Sequence, residues 1–267
     1  MKKLSFLLAL LLPIIPSANA AIAPKPMVQL AQVDPAASNV ISSTTQIAVI
    51  GNREKNGFIQ FLNGQPIELT AGVESFVSAA TTDVSGNFYV VGASSNPIVG
   101  TLPPISGVLN PDNVVSDPVS SNKSDAVNLI YWKLDATGVL LETQSMLMPS
   151  AIIPSAINVD ANSITVAGTS FANPGNNGFV VTWNGKPSFL GKNATQIHAI
   201  SKMPDGSVVA VGQSSEKLLN INLKGKVDGF LAKSVNGKFT TVIRSSEVRS
   251  EEHTSELQSP VPISYAV

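Results

Sequence analysis

Cysteine is absent from the 267 residues, which excludes a disulfide framework, a thiolate nucleophile and a thiolate metal centre. It also excludes a lipid-anchored export signal, whose acceptor is a cysteine. Histidine is scarce, with 2 in the chain, so neither a Cys-His pair nor a His/Cys metal cluster can be assembled, and no Ser-His-Asp arrangement stands out. Charged residues make up 13%, against roughly 25% in an average soluble chain. With a net charge of −1 and no basic block, nothing points to nucleic acid. No basic amphipathic helix offers itself to a membrane surface.

What is present begins with Met1-Lys2-Lys3 and an apolar stretch over residues 4–15, too short to cross a bilayer comfortably. Ser17-Ala18-Asn19-Ala20 closes it with small residues where a signal peptidase reads. Residues 1–20 are therefore expected to be an export signal, and the protein to be secreted or held in a cell envelope. Export without disulfides suggests a bacterial protein stabilised by sheet packing alone. Residues 21–43, rich in Ala, Pro, Val, Gln and Ser with no period, are expected to form a linker.

The rest is organised by repetition, and a missed period mis-assigns a whole fold. Asp83-Val84-Ser85-Gly86-Asn87-Phe88-Tyr89-Val90-Val91-Gly92 is a polar tight turn followed by an aromatic and β-branched run. The same arrangement returns at residues 158–170 and 203–215, with a weaker first copy at 47–52. Gly51, Gly92, Gly168 and Gly212 close these strands at spacings of 41, 76 and 44 residues. Four-stranded propeller blades repeat at roughly 40 to 50 residues, so the long interval implies a blade carrying an insertion of about 30 residues.

A second element follows each glycine strand: residues 56–64, 177–185 and 228–237 are apolar runs ending in Asn-Gly, with 126–134 as the version in the inserted blade. Asn-Gly predicts a type I′ hairpin turn, with positive φ at both central residues. Two hairpins per unit make four antiparallel strands. The expected fold is thus all-β, a β-propeller of four-stranded antiparallel blades over residues 44–248, with about four blades present. The proline-, serine- and asparagine-rich insertion at 96–125 is a loop. Loops of that length are more often functional or disordered than mere connections, which makes it the first place to look for a binding surface.

The pairing of a D-x-x-G-N-x-Y-V-x-G strand at residues 83–92 with Asp228-Gly229-Phe230-Leu231-Ala232-Lys233 resembles the bacterial β-propeller repeat of secreted and cell-surface proteins. The likeness covers roughly 41–248 and implies a fold, not a reaction. The tail differs in kind. Residues 249–259 break the composition with a charged run and no strand period, and they resemble the in-frame translation of a short-read sequencing adapter; 263–267 read as its continuation. On that reading the native sequence stops near Val248, the propeller is incomplete, and Glu251, Glu252 and His253 carry no functional meaning.

The remaining candidates for chemistry are few. His198 lies in an alternating run and reads as a strand residue. Asp83, Asp160 and Asp205 could ligate calcium, but turn formation accounts for their recurrence better. Trp132 and Trp183 fall in neighbouring third strands, where an aromatic packs between blades or stacks on a sugar. No catalytic, cofactor-binding or metal-binding residue is assigned and no cofactor is expected. The expected function is a non-enzymatic binding or interaction scaffold outside the cell, for an unknown protein or glycan. The alternative is a propeller-type glycan lyase or hydrolase whose site lies partly in missing blades.

Overall fold

A computed structural model describes residues 33–95, 126–172 and 174–245, all within one compact unit, Ala31–Val267. The predicted export signal, the insertion at 96–125 and the tail lie outside the described residues. Sixteen strands and no helix are found among those described. Sheet one comprises β1 (Ala37–Ser42), β2 (Ile47–Arg53), β3 (Asn56–Phe61) and β4 (Ile67–Leu69); sheet two, β5 (Ser75–Thr82), β6 (Phe88–Ser94), β7 (Asn128–Leu134) and β8 (Leu140–Leu147). Sheet three comprises β9 (Ala151–Val159), β10 (Ile164–Ala172), β11 (Gly175–Thr182) and β12 (Ser188–Leu190); sheet four, β13 (Thr195–Lys202), β14 (Val208–Ser214), β15 (Asp228–Val235) and β16 (Lys238–Arg244). Every sheet is an antiparallel meander in chain order. The architecture is that of β-propeller blades, four of them, as the repeat spacing predicts. β1 begins six residues before the expected end of the linker, because 37–42 pair with β2 from Ala37↔Gly51 to Ser42↔Ile47.

The recurring aspartates build the turns between first and second strands. Asp83 Oδ1 accepts the backbone N–H groups of Ser85 and Asn87, both at 2.9 Å. Asp160 Oδ1 accepts those of Asn162 and Ser163 at 2.8 Å, and Asp205 Oδ1 that of Ser207 at 2.9 Å. Each carboxylate replaces the backbone acceptor that a tight turn leaves missing. The Asn-Gly turns depart from expectation. Asn236 and Gly237 both have positive φ, as a two-residue hairpin requires, and Val235 pairs with Lys238 across them. In sheets one and three only Asn63 and Asn184 do, inside turns closed by Gly64 N–H to Phe61 O and Gly185 N–H to Thr182 O. There the fourth strand has three residues and is reached by a longer loop, so the mirror-image turn is not needed.

The strand glycines do not end their strands, which run on to Arg53, Ser94, Ala172 and Ser214. Their cause is a β-bulge in the neighbouring first strand. The pairing register skips Ser38, Ser78, Ser155 and His198, each next to the residue paired with Gly51, Gly92, Gly168 or Gly212. The bulge pushes a carbonyl, that of Ala36, Phe76, Ile153 or Gln196, into the space where a Cβ on that glycine would sit. Glycine is the residue that tolerates such close backbone approach.

Three apolar clusters hold successive sheets together. Ile50 and Ile59 of sheet one pack with Val77, Phe88 and Trp132 of sheet two. Val91 and Tyr131 of sheet two pack with Ile152 and Ile157 of sheet three, together with Val166 and Phe179. Ala167 and Val180 of sheet three pack with Ile197, Ala210 and Phe230 of sheet four. Side chains alternate between the faces of a strand, so one face of each second and third strand turns to the preceding sheet and the other to the next. The apolar area removed from water at these faces is the main favourable term for an all-β protein without disulfides.

Candidate binding surface

In a four-stranded meander the first and third turns lie at one end of the sheet. The middle connection lies at the other end, where the chain also enters and leaves. The links between consecutive sheets, 70–74, 148–150 and 191–194, are short enough to bring these second ends together on one rim. The last residue of β6 and the first of β7, Ser94 and Asn128, therefore lie at that rim, as does the whole connection 215–227 between β14 and β15.

The loop at 215–227 is anchored at both ends by carboxylates. Glu216 Oε1 accepts the N–H groups of Lys192, Asn193 and Ala194 at 2.8–2.9 Å, and the Thr195 hydroxyl at 2.8 Å. Burial works to raise the Glu216 pKa, but the bonds from Ala194, Asn193, Lys192 and Thr195 outweigh it and hold the group below its ordinary value. Asp228 accepts the N–H groups of Lys224 at 2.7 Å and Gly225 at 2.9 Å. Led by the Lys224 bond, these contacts lower its pKa too. Arg244, buried with Asp228 at 3.6 Å, donates to the Glu216 carbonyl and so ties the two anchors to each other. Leu218 is fully buried in the cluster between sheets three and four, and it exchanges backbone hydrogen bonds with Ile221. The loop exposes Lys217, Lys224 and Lys226 and also Leu219, Ile221 and Val227.

This cluster escapes a reading by whole-chain charge, because three lysines vanish in a chain with 17 basic and 18 acidic residues. The available signal was spacing: thirteen residues separate Ser214 from Asp228 where Arg53 and Asn56 in sheet one are separated by two.

On the opposite rim a groove of about 520 Å³ runs between the turns at 160–163 and 203–207. Its charges are satisfied internally: Lys202 Nζ lies 2.6 Å from both Asp160 Oδ2 and Ser163 Oγ. The Lys202 contact is the main cause that brings the Asp160 pKa down to about 2, helped by the Asn162 and Ser163 bonds. Between the first strands, a cavity of about 220 Å³ is lined by Asn39, Ile41, Ser78, Ala80 and Ser155 among others. Among the described residues no titratable side chain lines it.

The sequence-based candidates separate clearly. Asp83, Asp160 and Asp205 are turn formers in three different sheets and do not converge. His198 is the exposed bulge residue of β13, standing where Ser78 and Ser155 stand in β5 and β9. Trp132 is fully buried between sheets one and two, its Nε1 3.4 Å from the Thr70 carbonyl, so it stacks on no ligand. Trp183, one residue beyond β11, meets Tyr131 edge-on at 4.5 Å and donates to Gln144 Oε1 at 2.8 Å. The packing role holds for both.

No family model matches this sequence, and no curated protein matches it. Among solved structures, a protein of unknown function from Bacteroides caccae aligns at 10% identity over 79% of this chain and 61% of its own, with a TM-score of 0.43. Lignostilbene dioxygenase from Pseudomonas brassicacearum aligns at 11% identity over 76% of this chain and 46% of its own, with a TM-score of 0.44. The chain thus spans less than two thirds of the length of either structure, and likeness at that level assigns no reaction to it.

Proposed function

We propose that this protein is an exported, non-enzymatic β-propeller scaffold that binds an acidic protein surface through the 215–227 loop. The observation that carries the reading is the combination of anchoring and exposure in that loop. Glu216, Leu218 and Asp228 fix its backbone to sheet four and to the link before it. Lys217, Lys224 and Lys226 are meanwhile exposed, as are Leu219, Ile221 and Val227. A pre-ordered loop loses little entropy on binding, exposed cations steer an acidic partner, and the apolar side chains supply desolvation energy. The leader-like stretch at 1–20 supports a location outside the cytoplasm, where such a partner is met on a cell surface.

The test is binding of the labelled protein to the exterior of cells of its source, measured against salt. Binding should weaken as salt rises from 50 to 500 mM, and the combined Lys217→Ser, Lys224→Ser, Lys226→Ser variant should bind at least about tenfold more weakly at unchanged stability. Undiminished binding by that variant overturns the reading, as does turnover of any polysaccharide by the native protein.

A further inference from the structure

We propose that the outward face of sheet four is a blade-to-blade interface, and that the occupant it is shaped for is a further four-stranded unit of the same polypeptide. Corresponding positions in the four sheets carry the argument. Ile50, Val91, Ala167 and Val211 each precede the strand glycine, and Ile59, Tyr131, Val180 and Leu231 face them on the third strand. The first three pairs are buried against the next sheet. In sheet four Val211 is 39% exposed and Leu231 41%, with Ile243 beside them at 61%. Aliphatic side chains are retained at places that elsewhere serve only packing.

The third strands add a socket. A Cβ on Gly57 would collide with Val77 of the next sheet, and one on Gly178 would lie 2.7 Å from Cγ1 of Ile197. Both intruding residues sit just before the bulge of the next sheet's first strand. Gly229 holds the same register position in sheet four, yet among the described residues nothing but the Gly212 carbonyl, at 3.9 Å, comes near it. Among the described residues it is a socket with no knob. Sheet two has Leu129 at this place, and the next sheet answers with Pro154 rather than a β-branched residue, so the two positions vary together.

The same comparison selects the occupant. Sheet one offers Ala37 at the knob position, so neither its own first strand nor that of a second copy brings the β-branched side chain that a glycine socket takes. A downstream unit would. Val77, Pro154 and Ile197 follow the last strand of the preceding sheet by seven or eight residues. The same step beyond Arg244 falls on Glu251 and Glu252, in the stretch that resembles translated adapter, and a carboxylate has no place in an apolar socket. The proposed unit would carry Val or Ile at that step.

The test reads the source transcript past codon 248 and produces the chain with its natural continuation beside the present one. Gly229→Val should leave the melting temperature of the present chain within about 1 °C and lower that of the extended chain by more than about 5 °C. Because the protein lacks cysteine, Leu231→Cys gives a second reading: its thiol should react freely in the present chain and at least about 100-fold more slowly in the extended one. A continuation without an apolar residue at 251 or 252, equal effects in both chains, or a dimer of the present chain that Leu231→Glu dissociates would each overturn the proposal, the last by giving the face to a second copy.

Discussion

β6 and β14 are copies of one strand with opposite surroundings. All seven residues of β6, Phe88–Ser94, are buried, whereas in β14, Val208–Ser214, burial falls mainly on alternate residues. The sequences differ far less than the burial does: both run apolar through the residue before the glycine and end in serine. What differs is the neighbour. Sheet two has a sheet on each side, while sheet four has sheet three on one side and, among the described residues, no core cluster on the other. An apolar run in a repeat protein thus encodes two interfaces, and one strand can satisfy both only when both neighbours are present.

The largest effect expected within this comparison is one the two strands share. Gly92→Val and Gly212→Val each force a side chain into a bulge carbonyl and should cost about 3 kcal/mol or more in urea denaturation. A small loss at either position would mean that the bulge relaxes easily there. The strands should part company at the preceding residue. Val91→Ala removes two buried methyl groups and should cost about 2 kcal/mol, whereas Val211→Ala should stay within about 0.5 kcal/mol. Equal losses would show that sheet four is covered after all.

The smallest effect concerns acid. Asp160 and Asp205 are both drawn down to about 2, Asp160 chiefly by Lys202 and Asp205 chiefly by Ser207. A depressed folded-state pKa gives stability that is fully present above the unfolded value, near 4, and is lost as pH falls through the folded value. Thermal unfolding should therefore hold steady above about pH 4 and decline toward pH 2. Asp160→Asn should flatten part of that decline. Both groups are substantially exposed, so solvent screening keeps the change modest.

The second and third strands were legible because most carry a local signature: an Asx turn before the second strand in sheets two, three and four, and a glycine pair around the third in sheets one, three and four. The first and fourth strands were not. β1 and β9 carry a bulge that breaks the two-residue alternation, and β4 and β12 have only three residues, too few to show a period. The glycine spacing was visible, but its cause was not, since the colliding carbonyl belongs to a strand about 15 residues earlier whose register only the sheet defines. Less of the candidate surface was legible, since one of the two stretches concerned, the 96–125 insertion, lies outside the described residues. The length of the 96–125 insertion stands out in the sequence, whereas the 215–227 loop depends on Glu216 and Asp228 reaching backbone groups that no motif announces.

Among the described residues no sheet borrows a strand from another: each is drawn from consecutive strands, and neighbours in sequence are neighbours in space. A chain built this way has no need to wait for its far end before it begins to order itself. Each segment can close as soon as its fourth strand has emerged and can then serve as the template for the one behind it, so synthesis in a single direction becomes a natural assembly line for the molecule.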